Sequence, residues 1–176
     1  MWVGQLALNA DIRRYGDGNP GTTNVLRAGG KGWALLAAVL DMLKGALPVA
    51  LAYTVVGIRD IRAVPIALAP LIGHCFSPLL KGRGGKGVAV TGGLWIGLTY
   101  GIGGAVGTLF MTLGYLVQDG AGWAVLLGLL SIGGYLALFN RDPMLLIIWM
   151  LNSLLVLWRY RETFNRSPSW RSWIRQ

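Results

Sequence analysis

The sequence predicts an all-α fold: a polytopic helical bundle embedded in a membrane, with about six spans, two of them short. Three observations carry this. Of 176 residues, 54% are hydrophobic and 13% charged, against about 25% charged in soluble domains. The mean hydropathy is +0.54. The apolar residues fall into blocks at 33–57, 63–80, 88–117, 122–139 and 143–158, close to the roughly 20 residues that cross a bilayer. The length predicts one domain over 1–176.

The elements follow in chain order. The first ten residues, MWVGQLALNA, have neither the charged start nor the long apolar core of a cleavable signal peptide, and they are too short to span. Block 33–57 is the first clear span. It holds Asp41 and Lys44, whose i, i+3 spacing lets them meet across one turn. Charges at that depth are costly and turn towards a polar cavity or the bundle interior, so the pair either lines a polar site or serves as a structural ion pair.

Block 88–117 would make about 45 Å of helix, long for one span and short for two. Charge resolves it. If the chain breaks at GIGG (101–104), one side carries Arg13, Arg14, Arg27, Lys31, Lys81, Arg83, Lys86, Arg159, Arg161, Arg166, Arg171 and Arg175, which is 12. The other side keeps Arg59, Arg62 and Arg141, and Lys44 within a span completes the 16. Unbroken, the split would be 8 against 7. The positive-inside rule selects the broken form. It places two glycine-rich loops and the basic tail together at the cytoplasmic face.

Those loops carry the chemistry. GDGNPGTTNVLR (16–27) combines glycines that permit close backbone approach, amides able to form an anion nest, and Arg27, whose fork suits phosphate. It reads equally as a helix-linking turn with Arg27 as a topology anchor. GHCFSPLLKGRGGKG (73–87) ends in amides and the Lys86 ammonium. It is not a nucleotide-binding P-loop, because Gly87 stands where Ser or Thr must follow the lysine. It suits phosphate, or is simply a basic inside loop. A second GGKG at 29–32, with no wider repeat around it, reads as coincidence or as a helix-start device.

His74 reads first as a hydrogen-bonded structural residue, and as a general base only with a substrate hydroxyl in reach. One cysteine, Cys75, excludes an intrachain disulfide, and one histidine beside it excludes a conventional zinc cluster. The net charge of +9 comes without a basic face of interleaved aromatics, which argues against nucleic acid. The tail SPSWRSWIRQ (167–176) has the aromatic and basic alternation of a membrane interface.

Three stretches, DIRRYGDGNPGTTNVLR, DMLKGALPV and GHCFSPLLKGRGGKGVAVTGG, come in an order and spacing that resemble the bacterial acyl-phosphate:glycerol-3-phosphate acyltransferases (PlsY). The resemblance covers nearly the whole chain. It implies an integral enzyme of the bacterial inner membrane with its site and C-terminus cytoplasmic. The enzyme would transfer an acyl group from acyl phosphate to the 1-hydroxyl of glycerol 3-phosphate, yielding lysophosphatidic acid among membrane lipids, without acyl-CoA, cofactor or metal. By motif, Asn19, Gly21, Thr23, Asn24 and Arg27 belong to the first loop's substrate site, and His74, Gly84, Gly85, Lys86 and Gly87 to the second. Arg27, Lys86, Asn24 and Asp17 are the expected catalytic residues, with Arg27 and Lys86 stabilising developing charge.

Three departures stand out. Asp17 occupies a position where the family usually has Ser. A carboxylate there repels phosphate unless it is protonated, paired with Arg or Lys, or used as a base. The family's C-terminal His-Arg-x-Asn-Ile is matched by Tyr160-Arg161-Glu162-Thr163-Phe164, which keeps the arginine alone. The family's first transmembrane helix is expected to be missing. Two other readings stand beside the enzyme. One is a catalytically inactive relative that binds phosphate-bearing lipid or pairs with an active paralogue. The other is an unrelated small transporter, against which the ordered motifs and the lack of an inverted repeat weigh.

Overall fold

The structure, a computed structural model, describes residues 2–174. Arg175, counted above with the cytoplasmic charges, lies outside them. Two short helices, α1 (Trp2–Leu8) and α2 (Thr22–Arg27), precede six longer ones: α3 (Lys31–Ala50), α4 (Ala63–Cys75), α5 (Val88–Leu98), α6 (Ile102–Val117), α7 (Ala121–Tyr135) and α8 (Pro143–Arg159). One wide π turn extends α3 to Val55, and another extends α7 to Asn140. With those turns, α3 and α7 are long and apolar enough to cross a membrane, as is α4 with the turn after it to Leu80; α5, α6 and α8 are shorter apolar helices.

The break in 88–117 lies slightly earlier than GIGG. Helix α5 ends at Leu98, and the chain reverses through Tyr100 (φ 52°) and Gly101 (φ 93°). The Thr99 hydroxyl accepts from Gly103 N–H at 2.8 Å. Gly103 and Gly104 belong to α6, where Gly104 packs against Ile96 and the Gly92 carbonyl. They are needed for close approach between the two arms of the hairpin, while the turn itself uses residues 99–101. Gly30, in the second GGKG, stands at the N-cap of α3.

The six helices run back and forth. Met42 and Ala46 of α3 lie against Gly93 of α5, with Gly97 against Ala46 and Ala50, so those helices run parallel at backbone contact. Residues 9–30, 76–87, 118–120 and 160–174 share one end of the bundle. Residues 56–62, 99–101 and 141–142 share the other, where Arg59 reaches the Tyr100 hydroxyl (3.4 Å) and the Tyr53 hydroxyl donates to Asp142 (3.1 Å). The loops are thus paired as the charge balance requires.

The core has two layers. Val49, Trp95, Leu136 and Ile148 pack in the half away from the loops, and Leu71, Cys75, Val90, Val125 and Val156 in the half beneath them. Asn152 joins them, accepting from Trp95 Nε1 and donating to Thr91 Oγ1, both at 3.0 Å. Leu35, Leu43, Leu47, Leu113, Leu130 and Leu154 point outward and exposed. A large apolar outer surface of this kind belongs against lipid.

Candidate active site

The first loop is built around one carboxylate. Buried Ile12 anchors it against Val25 and Ala34. Asp11 caps the turn that follows by accepting from Arg13 N–H (3.1 Å), and its bonds to Arg13 hold its carboxyl down at about 2. The chain then turns at Gly16 and Gly18, at φ 58° and 70°, with Asp17 between them. A Cβ on Gly16 would also meet the Arg27 guanidinium and the side-chain oxygen of buried Asn24. Asp17 Oδ1 accepts from Asn19 N–H (3.2 Å) and from Asn24 Nδ2 (3.0 Å). Asn24 is 1% exposed. It also donates to the Asn19 carbonyl (2.9 Å) and accepts from Arg27 Nη1 (3.1 Å), so its amide group is satisfied on both sides.

The second loop folds back on the end of α4. Gly84 and Gly85 N–H donate to the carbonyls of Cys75 (3.1 Å) and His74 (3.2 Å). A Cβ on Gly84 would collide with the His74 carbonyl, and one on Gly85 with the His74 imidazole. Arg159, at the end of α8, donates to the Gly84 carbonyl (2.7 Å). Gly87 (φ 82°) then starts α5.

Lys86 joins the loops. Its Nζ lies 2.7 Å from Asp17 Oδ2 and 4.7 Å from the centre of the Tyr160 ring. Burial alone would raise the Asp17 carboxyl. The hydrogen bond from Lys86, the Asn19 amide, the Lys86 charge and the Asn24 amide together hold it below its usual range. Asp17 is thus ionised and paired with a lysine. Burial pushes the Tyr160 hydroxyl up, which keeps it neutral.

Besides a cleft of about 520 Å³ that runs from Asp17 and Lys86 to Glu162, Arg166 and Ser169 of the tail, two more flank this junction. One, of about 410 Å³, is lined by Asp17, Asn19, Gly84 and Lys86 together with Arg13, Arg83, Arg159 and Arg161. The other, of about 240 Å³, is lined by Gly21, Gly85 and His74, by Asp41 and Lys44, and by apolar Val3, Leu40 and Leu80. Here Lys44 Nζ lies 2.6 Å from both Asp41 Oδ1 and His74 Nδ1. A charged lysine has no acceptor, so His74 Nδ1 accepts and its proton sits on Nε2, facing Gly85.

The structure therefore brings Asp17, Asn19, Asn24, Arg27 and Lys86 into one bonded group with Gly84 lining the cleft beside it, and puts Gly21, Gly85 and His74 in the adjoining cleft. Thr23 and Arg27 are exposed and line neither cleft; Asn24 and Gly87 are buried. Sequence reasoning counted Arg13, Arg83 and Arg159 as topology charges alone. Their convergence has no local signal, because Arg159 meets Gly84 across 75 residues.

The sequence model of a family described as glycerol-3-phosphate acyltransferase matches residues 1–169. A glycerol-3-phosphate acyltransferase of Rubrobacter xylanophilus is 36% identical over 159 residues, 89% of this chain and 77% of that protein. One of Aromatoleum aromaticum is 38% identical over 167 residues, 91% of this chain and 82% of that protein. The crystal structure of PlsY (YgiH), an integral membrane glycerol 3-phosphate acyltransferase in its glycerol 3-phosphate form, superposes with a TM-score of 0.85 at 28% identity, covering 94% of this chain and 83% of that one. Its lysophosphatidic acid form gives 0.80 at 29% identity, over 85% of this chain and 76% of that one.

Proposed function

The chain belongs to the glycerol-3-phosphate acyltransferase family, an integral membrane enzyme that transfers an acyl group to glycerol 3-phosphate in phospholipid synthesis, and we propose that its donor is an acyl phosphate handled by the two glycine-rich loops. Neither a transporter nor an inactive relative is needed to account for it. The single observation that carries the proposal is the Lys86–Asp17 contact, which closes both loops over one cleft rich in arginine. Both proposed substrates bear phosphate, and lysine and arginine are the side chains that hold it.

In this reading the 1-hydroxyl of glycerol 3-phosphate attacks the acyl carbonyl carbon. A new carbon–oxygen bond forms and the carbon–oxygen bond to the phosphoryl group breaks. The proton of the alcohol leaves with the phosphate, so the step balances without a protein base. Asp17, held ionised by Lys86 and Asn24, is then the resting partner of Lys86 rather than a proton acceptor. Lys86 stabilises charge on the leaving phosphate, with Arg27 held at the same group through Asn24. Gly84 and Gly85 let the second loop pass against the end of α4. His74, Lys44 and Asp41 line the cleft beside it, where the apolar wall suits the acyl end of the donor.

The loop-bearing face carries 11 of the described cations outside the spans, against 3 opposite, and the positive-inside rule makes that face cytoplasmic, in a bacterial inner membrane. The test is acyl transfer by the purified chain in lipid. Acyl phosphate should support product formation from glycerol 3-phosphate, acyl-CoA should not, and Lys86→Ala should remove the activity. Equal use of acyl-CoA would overturn the donor assignment.

A further inference from the structure

We propose that the Asp17 carboxylate is a built-in competitor for phosphate: it sits on the donors a phosphate oxygen would use, and a phosphate-bearing substrate binds by displacing it from Lys86. The inference rests on the reading that this cleft takes phosphate.

Three donors from two loops converge on one carboxylate. Lys86 Nζ reaches Oδ2 at 2.7 Å, while Asn24 Nδ2 and Asn19 N–H reach Oδ1 at 3.0 and 3.2 Å. An ammonium, a side-chain amide and a backbone amide are also the donors that bind a phosphate oxygen. The arrangement is fixed on one side and open on the other. Asn24 is buried, whereas the Asp17 side chain is 46% exposed and that of Lys86 26%.

The carboxylate can leave without unfolding anything. It lies between Gly16 and Gly18, both at positive φ, on a turn outside any helix. Lys86 cannot follow it far, because its ammonium rests against the face of buried Tyr160. Once Asp17 swings away, the ammonium stays aimed into the 410 Å³ cleft. Three of the four other cations there are differently engaged. Arg13 pairs with Asp11 beside the cleft, and Arg159 and Arg161 donate to the carbonyls of Gly84 and Trp158. Lys86 is the cleft cation that an aspartate of the same cleft neutralises. Asp17 therefore weakens the binding of every anion that needs Lys86, and sets a threshold concentration for phosphate-bearing substrates.

The experiment measures binding of inorganic phosphate to the full chain in lipid nanodiscs by calorimetry, alongside KM for glycerol 3-phosphate and kcat. Asp17→Asn keeps the shape and removes the charge; Asp17→Ser removes both, and guards against a folding defect in either variant. Both should bind phosphate about tenfold more tightly or better, the scale expected for a half-exposed unit charge some 4 Å from the anion. KM should fall in parallel, with no matching rise in kcat. Adding Lys86→Gln to Asp17→Asn should abolish the gain. Unchanged or weaker phosphate binding in both single variants would overturn the proposal and make Asp17 a clamp that the site needs. If the variants bind phosphate more tightly while no form of the chain transfers acyl groups, the competitor stands and the acyl-phosphate reading falls. If the native chain is active but the variants gain no affinity, the reverse holds.

Discussion

The two ends of the bundle use the same polar residue types to different effect. At the end away from the loops, most polar contacts are local. Asp142 accepts from Met144 N–H (2.8 Å) at the start of α8, Asp60 accepts from Arg62 N–H (3.0 Å) before α4, and Thr99 accepts from Gly103 N–H in the hairpin turn. These contacts finish elements. At the loop-bearing end, α2, α3, α5 and α7 start after Gly21, Gly30, Gly87 and Gly120 with no side-chain cap. The polar side chains instead bridge distant segments: Lys86 to Asp17 across 69 residues and Arg159 to Gly84 across 75. A cap stabilises one helix; a bridge fixes one loop against another. A site built from separate segments uses the second, because its groups must be brought to one place, and a bridge, unlike a cap, can afterwards yield to a substrate.

Substitutions can break that contrast. The largest effect is expected for Lys86→Ala, which removes the bridge and the charge together. A drop in kcat of roughly 10²–10³ is the scale for losing one stabiliser of developing charge, and steady-state kinetics reads it directly. Asn24→Ala comes next. It strips a buried amide from Asp17, Asn19 and Arg27 at once, and should cost about 1–3 kcal/mol in chemical denaturation, together with weaker binding of glycerol 3-phosphate. Tyr53→Phe probes the longest bridge described at the opposite end, to Asp142. A loss of about 0.5–1.5 kcal/mol with unchanged kcat and KM would sharpen the contrast. A fall in kcat comparable to that of Asn24→Ala would erase it.

The smallest effect is a flat line. Asp17 is held below its usual 3.8 in the folded chain, so its pairing is fully present above that value and is lost as pH falls through the lowered one. The ratio of affinities for sulfate, which keeps one charge state in this range, between the native chain and Asp17→Asn should therefore be the same at about pH 8 and about pH 5. A ratio that shrinks towards pH 5 would show that Lys86 does not hold the carboxylate ionised.

Periodic and electrostatic features were readable from the residues alone. Two arms in 88–117 follow from charge balance, and the structure moves the turn only from 101–104 to 99–101, because Gly103 and Gly104 serve packing. The Asp41–Lys44 contact follows from i, i+3 spacing. What could not be read is which distant groups meet. Nothing within GDGNPG says that Asp17 will take Lys86, and nothing near Lys44 says that His74, 30 residues on, will accept from it. Both meetings depend on how α3, α4 and α5 pack, with Gly45, Gly93 and Gly97 letting two backbones touch. Local sequence carries element identity, whereas site geometry is a product of tertiary distance.

The α5–α6 hairpin has a further consequence, for the bilayer itself. With 11 residues in α5, that arm is about 16 Å long, while the hydrocarbon core it crosses is about 30 Å thick. Its two ends cannot both reach the water on opposite sides of an undeformed membrane. Either the lipid thins around the hairpin, at a fraction of a kcal/mol per Å, or one end of α5 is sunk below the headgroups. Where the sunk end is the loop that feeds α5, Lys86, two residues before the first turn of α5, works at the depth where acyl chains begin. A greasy donor then presents its reacting carbonyl to the protein without being lifted out of the membrane.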